Sequence, residues 1–448
     1  MSAPAPVTYA RRLGLFSGVM MVIGGIIGAG IFRSPQIVAQ RVVTPELTLG
    51  VWALGGLIAL AGAFVYAELG GRFPRAGGQY VYLRDALGPL PAFLYAWALL
   101  LIIATGAIAA VAVTFADYAI ALFTLGEGAR LPLTLGSIVV LSAVNYTGVR
   151  PGAITQNIFT ILKLVALGAV IAAGLAAAAG LLPAAAPAEA LQAPDSVVLA
   201  IGAALVPVLF SCGGWQQTNF IAEEIIAPER NLPRALVIGV IGVVVVYVLA
   251  NFTYIQALGA GGLAASTAPA ADAMSRLVGP VGRTLITAGI MVSTFGFLNL
   301  VILVTPRVVQ AMAADGLFIP ALARLHPRFR TPAAAIVVQG VWALVLVFSG
   351  RYGALLDYVV FADWIFFGLT AVTLFVYRAR ERSGAPADAA YTGFRAPWHP
   401  VLPVFFILAA LYVVAGSVGS NPGNALRGAV LIALGVPVYL VSRRVRRR

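Results

Sequence analysis

Long apolar runs divided by short polar connections set the pattern of this chain, and the length of the runs is that of a membrane crossing. A helix needs about 20 apolar residues to traverse the hydrocarbon core. On that rule the pattern predicts twelve crossings, at roughly 13–39, 48–70, 91–123, 131–149, 153–181, 196–225, 234–259, 281–312, 332–349, 354–378, 401–418 and 424–441. Alternate connections differ in charge. One set carries Arg11 and Arg12; Arg72, Arg75 and Arg84; Arg150; Arg230 and Arg234; Arg307, Arg324, Arg328 and Arg330; Arg378, Arg380, Arg382 and Arg395; and Arg443, Arg444, Arg446, Arg447 and Arg448 at the tail. The other set holds scattered charges such as Arg41, Glu46, Arg130, Asp195, Arg283 and Arg351. By the positive-inside rule both termini face the cytoplasm, as an even number of crossings requires.

Two runs are interrupted. Val22 to Phe32 reads VIGGIIGAGIF, with Gly24, Gly25, Gly28 and Gly30 inside what is otherwise a membrane helix. Hydrocarbon makes a helix nearly compulsory, because no water is present to satisfy free backbone groups, and glycine weakens helices by about 1 kcal/mol relative to alanine. Such a cluster is either a close helix–helix contact or a break that frees backbone amides and carbonyls to hold a polar ligand. The sixth run contains a counterpart, Phe210-Ser211-Cys212-Gly213-Gly214-Trp215, with Pro207 just before it. Gly28 and Gly213 are 185 residues apart, and each opens a set of five predicted crossings. Five is odd, so the second set enters the membrane from the opposite face. The expected fold is therefore an all-α polytopic membrane protein of twelve helices, a five-plus-five inverted repeat with discontinuous helices 1 and 6. Residues 1–181 form the first repeat, 196–378 the second, and 401–441 a peripheral pair, all within one transporter unit.

Composition agrees. The chain has 448 residues, 61% of them hydrophobic and 10% charged, whereas a soluble protein has about 25% charged residues. The mean hydropathy is +0.96. The net charge of +13 comes from arginines in the connections, a topology signal and not a nucleic-acid footprint. Cys212 is the single cysteine, so intrachain disulfides and cysteine metal clusters are excluded. Residues 1–9 followed by Arg11 and Arg12 do not form a cleavable signal. His326 and His399 lack ligand spacing, so no metal is expected, and no cofactor. The absence of a nucleophile motif, phosphate loop or nucleotide signature argues against an enzyme or an ATP-driven pump.

Four stretches resemble the amino acid–polyamine–organocation superfamily: Ile26 to Phe32, Trp52 to Leu83, Phe210 to Leu236 and Ala311 to Ile336. The likeness is in particular to the L-type amino acid transporter branch and its bacterial relatives, and it covers crossings 1 to 10. It implies a LeuT-like fold, transport of L-amino acids and alternating access. Two positions depart from the family pattern: Ala29 stands where serine is usual, and Cys212 where a bulkier residue such as tyrosine is frequent.

An amino acid zwitterion must have both charged groups satisfied away from bulk water. The N–H groups of Gly28, Ala29 and Gly30, at the start of a half-helix, suit its carboxylate. The carbonyls of Ile26 and Phe210, with Ser211 nearby, suit its ammonium, and the resemblance implies the same roles. Cys212 and Gly213 lie within the second break. The resemblance makes Phe210 an aromatic lid; Trp215 is a pocket wall or a structural tryptophan. Lys163 is the only lysine among 29 basic residues, and a charge within a crossing is a functional candidate by default. Lysine can release its proton where arginine cannot. Sodium-independent relatives place a lysine here, which implies that Lys163 substitutes for a cation, with Ser293, Thr294 and Asn299 as candidate neighbours. Glu223, Glu224, Glu229, Arg230, Arg234, Asp315 and Arg324 are either solvated loop charges or an inner gate of ion pairs.

The expected function is a sodium-independent secondary transporter of neutral L-amino acids, working by exchange or proton symport, in the inner (cytoplasmic) membrane. A polyamine or cationic amino acid transporter is the alternative within the class, though it favours acidic residues in the site and neither break holds one. A channel or transport-dead sensor is the alternative outside it; a channel would need a continuous polar pore. The partners are a small amino acid and the lipid bilayer, with no nucleic acid, and a partner subunit is left open.

Overall fold

The structure, a computed structural model, describes residues 7–183, 196–349, 352–383, 391–420 and 422–446. Residues 1–6, Asp195, Arg351, Arg447 and Arg448, which entered the sequence reading, lie outside the described residues. The described chain is helical apart from one parallel bridge between Leu13 and Ile225.

In chain order the α-helices are α1 Leu15–Ile26, α2 Gly30–Val42, α3 Pro45–Arg72, α4 Gln79–Leu87, α5 Pro89–Ala98, α6 Ala104–Phe123, α7 Arg130–Tyr146, α8 Val149–Ala178, α9 Val197–Ser211, α10 Pro228–Ala265, α11 Pro269–Val278, α12 Pro280–Ala314, α13 Ala333–Phe348, α14 Tyr352–Arg382, α15 Val401–Ser420, α16 Pro422–Ala433 and α17 Gly435–Arg446. A π-helical turn, Leu99–Ile103, joins α5 to α6, and a 3₁₀ segment, Trp215–Glu224, follows α9. Among the described residues ten helices are long and apolar enough to cross a membrane. The pair α1 and α2, bent by 43°, is long and apolar enough when taken together, and α13 is a shorter apolar helix. Each occupies the place of a predicted crossing.

The helix boundaries have local causes. Proline occupies the first turn of α3, α5, α10, α11 and α12, where its missing N–H costs nothing. Thr44 caps α3, accepting from Leu47 N at 3.2 Å. Gly148 at φ +142° and Gly279 at φ +80° turn the chain between consecutive helices with no linker to spare.

Packing divides the helices into two groups. α1, α2, α3, α9 and α10 pack mainly on one another, and so do α6, α7, α12 and α13. α8 touches both groups, through α1 and α10 on one side and α12 on the other. α14 lies against α3 and α6, and α15 and α16 cover its outer flank. The outward faces are apolar: Ile154, Ile158, Ile161 and Val165 of α8 and Val337, Val341 and Val345 of α13 are exposed, as a lipid-facing surface requires.

Candidate functional site

The two sequence interruptions are both breaks, and they meet. The first separates α1 from α2 at Ile27–Ala29; the second separates α9 from the 3₁₀ segment at Cys212–Gly214. Glycine is what permits the meeting. A Cβ on Gly25 would lie 2.8 Å from the Gly214 carbonyl oxygen, and a Cβ on Gly214, whose φ is +100°, would strike the backbone of Gly25. A Cβ on Gly30 would lie 2.8 Å from Ser211 Cβ. Gly28 and Gly213 are different. A Cβ there would make ordinary contacts of 3.4 Å, with Phe297 and with the Phe210 carbonyl oxygen. The close approach therefore belongs to Gly25, Gly30 and Gly214.

The second break is shaped by Pro207, inside α9. Proline has no N–H to give the carbonyl four residues earlier, and that carbonyl, on Ala203, instead accepts from the Arg41 guanidinium. The Ser211 hydroxyl donates to Pro207 O at 2.8 Å and meets the Ser34 hydroxyl at 2.8 Å. Beyond the break the chain tightens into a 3₁₀ segment and not the expected α-helix. The cause is local, since Gln216 Oε1 takes the Gly214 N–H at 3.0 Å and Asn219 Nδ2 donates to Gln216 O at 3.2 Å.

The free backbone groups differ in part from expectation. The Gly28 N–H is not free, because it donates to Ile26 O at 2.9 Å, while those of Ala29 and Gly30 have no backbone partner among the described residues. Ile26 O also accepts from the Tyr247 hydroxyl at 3.0 Å, and that hydroxyl lies 3.2 Å from Ser211 O. One phenol on α10 thus ties the two breaks together. Phe210 O accepts from Gly213 N at 3.3 Å. The Phe210 ring is 41% exposed, while Ser211, Cys212 and Trp215 are buried. Trp215 packs edge-on to Tyr66 at 4.9 Å and beside Phe367 at 5.8 Å and Phe406 at 6.1 Å. Phe210 is thus the exposed ring beside the second break, and Trp215 is packed among aromatic side chains behind it.

Lys163 is wholly buried on α8 and reaches the first break. Its Nζ donates to Ile27 O at 2.7 Å and to Gly24 O at 3.2 Å. Ser293 of α12 reaches the same spot, its hydroxyl 3.2 Å from Ile27 O and 3.4 Å from Gly28 O. An amine donor is therefore present where the first break leaves carbonyls without helical partners. Thr294 is not brought to the lysine; its hydroxyl bonds Ile290 O at 3.0 Å and Met291 O at 2.8 Å in its own helix. Asn299 turns away as well. It donates to Gly152 O at 3.0 Å and Gln156 Oε1 at 3.1 Å, and accepts from Asn145 at 3.0 Å. Gln156 meets Thr160 at 3.2 Å, and Thr160 donates to Met20 O at 3.1 Å. This buried polar seam runs from α7 through α12 and α8 to α1. Tyr247, Gln156, Thr160 and Asn145 escaped the sequence reading; each is a polar side chain inside an apolar run, a signal that is real but unspecific.

The end of the bundle where α1 begins is sealed by polar contacts. Arg12 N and Leu13 N donate to Glu224 O at 2.9 and 3.0 Å, and Arg307 Nε bonds Glu224 Oε1 at 2.8 Å with both side chains buried. Arg84 pairs with Asp315 at 2.5 Å, and the Tyr80 hydroxyl donates to Asp315 at 2.7 Å. Burial, and then the Asp315 charge, hold the Tyr80 phenol well above its ordinary pKa, so it remains a donor. Glu223 accepts from Ala76 N at 3.3 Å. Of the charges singled out in the sequence, Glu223, Glu224 and Asp315 take part in this seal, with Arg307 and Arg84 as the arginines; Arg230, Arg234 and Arg324 make no ion pair among the described residues.

In sequence the chain is similar to known transporters. A family model described as amino acid permease matches residues 13–440. The human b(0,+)-type amino acid transporter 1 is 32% identical over 94% of this chain and 85% of its own length. The human cystine/glutamate transporter is 31% identical over 96% of this chain and 84% of its own. The human large neutral amino acids transporter small subunit 2 is 32% identical over 97% of this chain and 81% of its own.

Proposed function

The chain belongs to the amino acid permease family, and on that premise we propose that it is a sodium-independent secondary transporter of L-amino acids, neutral ones first, working by alternating access. The family consists of transporters, so the chain is not an enzyme. The observation that carries the sodium-independent reading is Lys163 Nζ bonded to Ile27 O and Gly24 O, with Ser293 of α12 on the same carbonyl. A protonated amine between α1 and α12 does mechanically what a bound cation would do: it neutralises the carbonyls freed by the break and couples the two helix groups.

In this reading the substrate carboxylate meets the N–H groups of Ala29 and Gly30 at the start of α2, where the helix dipole is positive. The substrate ammonium meets the carbonyl side of the breaks near Phe210 and Ser211, and the Phe210 ring closes over both. Gly28, Cys212 and Gly213 line the space between them, and Ile26 shapes it from behind through its bond to Tyr247. The twelve crossings form two inverted five-helix repeats, 1–181 and 196–378, with 401–441 peripheral and both termini cytoplasmic in an inner membrane. The sealed end then faces the cytoplasm, and breaking Glu224–Arg307 and Asp315–Arg84 opens it.

Uptake of labelled leucine into proteoliposomes tests the reading, with and without internal leucine, a pH gradient and sodium. Uptake driven by internal amino acid or by the pH gradient, with no response to sodium, is expected. Strong sodium dependence overturns the assignment of Lys163. One relative's name, small subunit, marks that protein as part of an assembly; the mass of the purified chain in detergent shows whether this one works alone.

A further inference from the structure

α14 carries an acid that the mechanism above does not use. Asp363 lies in FADWIFFG, 11 residues beyond the helix's first residue, Tyr352, or about 16 Å along the axis. An ionisable side chain at such a depth is costly and calls for a function. The other acids deep in the bundle have arginine partners: Glu68 has Arg72 and Arg378, and Glu224 has Arg307. Asp363 makes no ion pair or hydrogen bond among the described residues.

Its placement shows which way it faces. Phe366, Phe367 and Thr370 follow at helical spacing on the same face. Phe366 packs on Tyr95 at 5.3 Å, and Phe367 packs on Trp215 and Tyr66. That face points into the bundle, toward the floor of the second break. Phe361, Ala362, Trp364 and Phe366 around Asp363 are buried, and Asp363 itself is partly exposed.

A carboxylate beside aromatic rings suits an ammonium or guanidinium group. The backbone breaks already accommodate the charges common to every amino acid. Asp363 lies one turn from Phe367 on the same face, farther from the sealed end. We propose that Asp363 is a specificity residue that admits amino acids with a cationic side chain, arginine and lysine, beside neutral ones. This rests on the amino acid transport reading and supplies the acidic residue that neither break contains.

The test uses the full chain in proteoliposomes with labelled leucine and labelled arginine, and with citrulline, the uncharged isostere of arginine, as a competitor. Wild type is expected to take up both labelled substrates and to be inhibited more strongly by unlabelled arginine than by citrulline. Asp363→Asn should lower kcat/KM for arginine about tenfold or more while leaving leucine within about twofold, and Asp363→Glu should restore part of the arginine uptake. Leucine uptake without arginine uptake in wild type overturns the proposal and leaves the transport reading standing. Equal inhibition by arginine and citrulline overturns it without any variant. So does a parallel loss of both substrates in a folded Asp363→Asn protein, because that marks a structural or coupling role. Uptake of neither substrate by wild type overturns the transport reading and this proposal with it.

Discussion

The two helix breaks occupy corresponding places in the chain, yet they are held open by different means. The first is governed from outside. Lys163, Ser293 and Tyr247, on three other helices, supply partners to the carbonyls of Gly24, Ile26, Ile27 and Gly28. The second is largely governed from within, by Pro207, Ser211, Gln216 and Asn219 of its own segment. A break maintained by remote side chains responds to movement of those helices, whereas one maintained locally travels as a unit. In the proposed transport cycle, the first break is therefore the place where motion between the two helix groups would change the site. The second supplies a rigid floor with one exposed ring, Phe210.

The comparison is broken most severely at Lys163. Lys163→Ala removes the amine donor from the buried carbonyls of Gly24 and Ile27, and an unsatisfied buried polar group costs about 1–3 kcal/mol. Transport should fall about a hundredfold or more, with insertion intact, as measured by leucine uptake and by elution of the purified protein. Lys163→Arg separates two roles. If the residue is only a fixed cation, arginine retains part of the exchange activity. If it carries the coupled proton, arginine abolishes pH-driven accumulation and spares exchange. Full activity in Lys163→Ala would defeat the reading.

Next in size is the contact between the breaks. Gly25→Ala and Gly214→Ala each place a Cβ against backbone of the other segment, and backbone cannot swing aside as a side chain can. Overpacking of this kind costs about 1–3 kcal/mol, and Gly214 adds the strain of its positive φ. A lower melting temperature together with a loss of transport of about tenfold or more is expected. Wild-type stability in both variants would mean that the two backbones are not in contact in the resting protein.

Tyr247→Phe sharpens the contrast by removing one hydroxyl from between the breaks. The ring keeps its edge-on packing with Trp52 at 5.5 Å, so the change isolates the bridge from Ile26 O to Ser211 O. A buried hydrogen bond contributes about 0.5–1.5 kcal/mol, so a threefold to tenfold loss of transport with little change in melting temperature is expected. An unchanged rate would show the bridge to be incidental.

Much of this fold could be read from the sequence because membrane crossings obey a length rule that needs no tertiary information. The breaks were legible because Gly24-Gly25 and Gly213-Gly214 sit inside apolar runs, and Lys163 because it is a lone lysine. What stayed hidden depends on neighbours. Nothing in the sequence distinguishes Gly25, which faces another backbone, from Gly28, which has room, since both are glycines in one motif. Thr294 and Ser293 are adjacent, but a helix turns successive side chains apart, and only Ser293 faces the first break. Tyr247 is one tyrosine among 15 until the fold sets its hydroxyl between two carbonyls. Asp363 was the missed signal, because an acid inside FADWIFFG stands out by the same rule that singled out Lys163.

The smallest expected effect is also the most discriminating. A Cβ at Gly28 would make an ordinary 3.4 Å contact with Phe297, and the residue's φ is not positive. The protein alone therefore gives no reason for glycine here, and Gly28→Ala should leave the melting temperature nearly unchanged, within about 0.5 kcal/mol of stability. If the open space beside Gly28 is where the substrate approaches the backbone, the same methyl occupies room the ligand needs. Substrate affinity should then fall severalfold while stability holds, a split that Gly25→Ala, which disturbs both, cannot show. Thermal unfolding with and without leucine measures the two quantities on one sample: the unliganded midpoint reports the fold, and its rise with leucine reports binding. An unliganded midpoint lowered as far as in Gly25→Ala would erase the distinction between crowded and open glycines. An unchanged leucine shift would move the substrate away from Gly28.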